Sequence, residues 1–89
     1  MHNSTPKRPY RKLHLRLSDK DRNQVKELLR RGHESARVLK RVAILSLLDK
    51  GERVSRISVL LDVSPTTVRS IGWRYNEGGL AEAIYDHWG

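Results

Sequence analysis

Four side chains suited to recognition recur at helical spacing near the end of the chain: Thr66, Arg69, Ser70 and Trp73. At about 100° per residue they fall on one side of a helix, while Val68, Ile71, Gly72 and Tyr75 fall on the other. The second set is apolar or small and belongs in a core. The first carries two hydroxyls, a guanidinium and an aromatic plate, groups that bind rather than make or break bonds. Held on an outward helix face, they suit the base edges of a DNA major groove.

Other chemistry finds little material. The 89 residues contain no cysteine, which removes disulfides and thiolate zinc sites. His2, His14, His33 and His87 are too scattered for a local ligand pair, so neither a metal site nor a cofactor is expected. The longest apolar run, Val42 to Leu48, falls far short of a membrane span and includes Ser46. The start, MHNSTPKRPYRK, has a signal peptide's charge without the apolar run that should follow, so a cytoplasmic location is expected.

The net charge is +8, and it lies toward the front. Residues 1–31 hold ten Lys/Arg against three Asp/Glu, whereas residues 52–89 hold four against five. A polyanionic partner fits that asymmetry. Residues 1–12, with Lys7, Arg8, Arg11 and Lys12 and no acid, read as a flexible basic arm.

The elements that must position the recognition row follow from caps and periodicity. Leu13, Leu15 and Leu17 alternate with polar residues and predict a short extended segment on the core. Ser18 and Gly32 bracket a helix over 19–31 with Val25, Leu28 and Leu29 as its apolar stripe. Ser35 and Gly51 bracket a second helix whose stretch 42–48 is apolar nearly all round, which makes it central. Ser55 is expected to cap a third helix over 56–61, with Ile57, Leu60 and Leu61 inward. Ser64 and Pro65 start a fourth over about 65–77, and Asp62 suits the left-handed backbone of the turn at 62–64. Leu80 to His87 is expected to form a last short helix docked on the domain. The prediction is an all-α domain over residues 13–89 in which a helix, a tight turn and a second helix form a helix-turn-helix.

The segments ESARVLKRVAILSLLDKG, SRISVLLDVSPTTVRSIGWRYNEGGL and IYD, in that order, resemble the N-terminal DNA-binding region of bacterial insertion-sequence transposases of the mariner-like superfamily. LRLSDKDRNQVKELLRRG resembles the segment that precedes it there, so the likeness covers about residues 13–86. It implies a homeodomain-like or paired-like bundle, here with an extra N-terminal helix, that binds terminal inverted repeats in transposition. Asp62 stands where that family usually has glycine, and Ser58 where it has alanine. Trp73 replaces a usual polar or basic residue, and Gly72 is a further departure.

The expected function is sequence-specific binding of double-stranded DNA, with the fourth helix as recognition helix. Candidate contacts are Ser64, Pro65, Thr66, Thr67, Arg69, Ser70, Trp73 and Arg74, joined by Arg8, Arg11 and Lys12 of the arm. Arg8 and Arg11 are the expected minor-groove readers. No small-molecule substrate or membrane partner is expected; a homodimer remains open. No enzyme is expected either, because such transposases cut DNA with a separate domain whose three carboxylates hold two metal ions. Competing readings are a fragment of a larger enzyme, a free-standing helix-turn-helix transcriptional regulator, and a helical interaction module anchored by Trp73 and Trp88. RNA suits the sequence less well, because an A-form major groove excludes a helix.

Overall fold

The computed structural model describes Leu13 and residues 15–85. The helices are α1 (Asp19–Arg31), α2 (Ala36–Asp49), α3 (Val54–Leu61), α4 (Pro65–Gly78) and α5 (Leu80–Ile84). Among the described residues there is no strand. The all-α prediction holds.

Local chemistry sets most of the helix ends. Ser18, Ser35 and Ser64 each sit in extended backbone and accept the amide three residues on, from Asp21, Val38 and Thr67 respectively. Each hydroxyl thereby satisfies one of the amides a first helical turn leaves unpaired. Gly32 closes α1 in the left-handed conformation at φ 65°, and its amide donates to the Leu28 carbonyl.

α3 departs from expectation. It begins at Val54, with Arg53 at the N-cap and no side-chain cap, so Ser55 lies inside the first turn and caps nothing. Starting there puts half-buried Val54 on one line with Ile57 and Leu61, and burial of that line takes precedence over a cap. Leu60 consequently points out, 53% exposed, and not inward as its spacing predicts. Leu29 is likewise 40% exposed, so α1 buries a narrower stripe, Val25 with Leu28 beside it. α5 ends at Ile84, short of the expected His87, which lies outside the described residues.

α2 runs through the centre. Val42, Ile44 and Leu45 are wholly buried, and α1, α3, α4 and α5 all pack on this helix. Ile57 of α3, Val68 and Ile71 of α4, and Leu80, Ala83 and Ile84 of α5 complete the core with Leu15 and Leu17 of the leading extended segment. That core contains no buried polar residue among those described.

Polar bonds at the core's edge then lock the N-terminal elements on. Asp49, at the end of α2, takes a bidentate grip from Arg22 of α1: Nε lies 2.9 Å from Oδ2 and Nη2 lies 3.0 Å from Oδ1. The Leu17 amide also donates to Asp49 Oδ1 at 2.9 Å, and Arg22 Nη2 reaches back to the Leu17 carbonyl at 3.0 Å. One carboxylate thus joins three segments. The Arg22 hydrogen bond, aided by the Leu17 amide, holds the Asp49 carboxyl below the ordinary aspartate range.

Candidate nucleic-acid interface

The turn between α3 and α4 uses residues 62–64. Asp62 adopts the left-handed conformation at φ 56°, the only non-glycine described residue with positive φ, and its amide donates to the Ser58 carbonyl. Aspartate tolerates this region better than most side chains, although glycine would fit with less strain. Ser58 makes up for the difference. Its carbonyl also accepts the Val63 amide at 3.1 Å, and its hydroxyl donates to the Val63 carbonyl. Two of the four positions that depart from the transposase pattern, Asp62 and Ser58, therefore meet in one hydrogen-bonded turn.

α4 leaves that turn with a double cap. Ser64 Oγ accepts the Thr67 amide at 3.1 Å and lies 3.0 Å from Thr67 Oγ1, and Pro65 occupies the first helical position. Val68 and Ile71 enter the core, as their spacing requires. Gly72 is buried against Leu13 of the leading segment and Leu48 of α2. A Cβ at Gly72 would run into the Leu13 side chain and come 3.3 Å from Leu48 Cδ1. That close approach accounts for a glycine in a helix interior, where it otherwise costs about 1 kcal/mol relative to alanine.

Tyr75 fixes α4 from the same side. Its hydroxyl donates to Asp21 Oδ2 at 2.6 Å and accepts the Ser18 amide at 3.3 Å, tying α4 to the start of α1. Burial, with the Asp21 bond second, raises the phenol above its usual range, so it stays protonated and able to donate. Farther along, Arg41 Nη1 donates to the Ile84 carbonyl at 3.3 Å, and the Tyr85 hydroxyl donates to Glu34 at 3.3 Å. These long-range contacts hold α5 against α2. Sequence reasoning did not find the Arg22–Asp49 or Tyr75–Asp21 pairs.

The opposite face of α4 carries a row of exposed side chains. Thr66, Arg69, Ser70, Trp73 and Arg74 are all exposed, and none has a side-chain hydrogen bond or ion pair among the described residues. Ser64, Pro65 and Thr67 are exposed at the helix start, with Ser64 and Thr67 engaged in capping. The structure brings these eight candidates together along one helix. Thr66 and Trp73 are seven residues apart, or about 10 Å along the axis, a length that fits within a major groove. Arg8, Arg11 and Lys12 lie outside the described residues.

Arg53 and Arg56 stand exposed at the start of α3, Arg56 with its Nε 3.4 Å from Glu52 Oε1. Glu77, in the last turn of α4, is the first acid along the outward row. Among the described residues, no three of His, Cys, Asp and Glu gather where they could hold a metal ion. None of the described helices is long and apolar enough to cross a membrane.

Comparison with known families gives a match to the winged helix-turn helix family over residues 41–89, just over half of the chain. The matched region begins within α2 and takes in the whole of α3, the turn, α4 and α5. Among the described residues α4 is followed by α5 and not by a β-hairpin. No curated protein and no solved structure gives a significant match. With its helix pair, its capped turn and this match, the chain belongs to the winged helix-turn helix family and carries a helix-turn-helix DNA-binding region.

Proposed function

We propose that the chain binds double-stranded DNA sequence-specifically, with α4 in the major groove, as in transposase recognition of terminal repeats. The supporting observation is the contrast between the two faces of α4. Its inner face is fixed by Val68, Ile71, Gly72 and Tyr75, while its outer face presents Thr66, Arg69, Ser70 and Trp73 unbonded. A recognition helix needs that combination, since phosphate contacts set register and unengaged side chains read base edges. The same reading places the chain in the cytoplasm, where it meets DNA. A free-standing transcriptional regulator would use the same surface, and the genomic position of the selected sequence separates the two.

Selection of binding sites from random duplexes tests the proposal directly. On the selected duplex, Arg69→Ala should cost about 1–3 kcal/mol of discrimination at one base pair and leave the fold intact. Thr66→Ala and Ser70→Ala should act in the same sense but less. An unchanged ratio of cognate to scrambled binding in Arg69→Ala would remove Arg69 as a base reader.

The chain is proposed to act by binding alone. Purified protein with Mg²⁺ or Mn²⁺ should neither nick nor join a duplex carrying its site. Cleavage that follows the folded chain through successive columns would refute this.

A further inference from the structure

Four large apolar side chains among the described residues stand exposed, Leu29, Val59, Leu60 and Trp73, and Trp73 is the aromatic one and the one on the outward row of α4. Its side chain is 42% exposed, on the centre line of the outward row. Taking Thr66 as zero on the helical wheel, Trp73 lies at about −20°, Arg69 at about −60° and Arg74 at about +80°. Two unpaired guanidiniums therefore flank an apolar plate. Gly72 and Tyr75 on the other side hold the helix at a fixed depth, and Trp73 cannot rotate into the core without breaking those contacts.

An indole in this position gains by burying apolar surface, and the major groove offers little. The edges of a G·C pair carry hydrogen-bonding groups, and covering them with a plate would strand those groups without water. An A·T pair adds one apolar feature, the 5-methyl group of thymine. The flanking arginines are matched to phosphate and base acceptors to either side, which seats the plate over the groove floor.

We propose that Trp73 reads a 5-methylpyrimidine, thymine in unmodified DNA, by packing its ring on the methyl group. This inference rests on the reading of α4 as the groove helix and assigns Trp73 a specificity at one base pair.

The test uses the full chain and the duplex recovered by selection, with each thymine replaced singly by deoxyuridine. At one position, loss of the methyl should weaken binding about fourfold, the value of one buried methyl-sized group. In Trp73→Ala, thymine and deoxyuridine at that position should bind alike, while preference at the base pair read by Arg69 persists. Cytosine placed there should bind more weakly than 5-methylcytosine, again only with Trp73 present. If no thymine shows methyl dependence, or the dependence survives in Trp73→Ala, the inference is wrong although specific DNA binding stands. If selection returns no preferred duplex, the groove reading and the inference fail together.

Discussion

Asp49→Ala is expected to lower unfolding free energy at pH 7 by about 2 kcal/mol, a fall of roughly 10 °C in Tm for a domain this small. The substitution removes the acceptor of the Leu17 amide and both oxygens held by Arg22. The Asp49 side chain is only 10% exposed, so these bonds are largely shielded. Arg22 is 36% exposed, and water screens its share of the charge interaction, so the larger part of the loss comes from the stranded amide and the missing carboxylate. The effect should depend on pH. The folded-state pKa of Asp49 lies below its unfolded value, so its contribution is present above about pH 4 and is lost as pH falls through the folded pKa. Denaturant titrations of both proteins at pH 7 and pH 3 check this. A difference that does not narrow at pH 3 would show that the carboxylate's charge contributes nothing.

Removal of residues 1–12 should leave thermal stability nearly unchanged and weaken binding to every duplex. The segment holds four basic residues, Lys7, Arg8, Arg11 and Lys12, and no acid. Each phosphate neutralised contributes about 0.9 to the slope of log affinity against log salt, so losing two to four contacts should flatten that slope by roughly two to four. If Arg8 and Arg11 enter the minor groove, the loss should be greater on sites flanked by A·T runs, where that groove is narrow and its potential more negative. Equal affinity, salt slope and flank preference in the full and shortened chains would reduce the arm to a solvated tail.

Most helix ends were legible from the local preferences of single residues. Ser18, Ser35 and Ser64 cap, Gly32 and Asp62 take left-handed backbone, and no distant partner is needed for either. The two-faced character of α4 was legible for a similar reason, since Val68 and Ile71 repeat at helical spacing opposite Arg69 and Trp73. Errors arose where tertiary packing decides. Leu60 and Leu61 lie to either side of Ile57 around α3, at about 60° and 40°, and the placement of α2 and α4 determines which is covered. Ser55 is a good cap by type, but Val54 pulls the helix start back past it. Asp49 with Arg22 and Asp21 with Tyr75 are separated by 27 and 54 residues, and no spacing rule connects such positions. Gly72 has no helical rationale in the sequence, because the side chains that require it, Leu13 and Leu48, come from distant segments.

The division of α4 into a bonded face and an unbonded one bears on how this chain can change. Ser64, Val68, Ile71, Gly72 and Tyr75 orient the helix, whereas Thr66, Arg69, Ser70 and Trp73 make no side-chain hydrogen bond or ion pair. Exposed positions of that kind tolerate substitution to within about 0.5 kcal/mol of stability. On the proposed reading of α4 as the groove helix, target preference can therefore drift, or be selected from a library randomised at those four positions, without a compensating change elsewhere in the chain. The domain can acquire a new site one residue at a time, with each intermediate still folded.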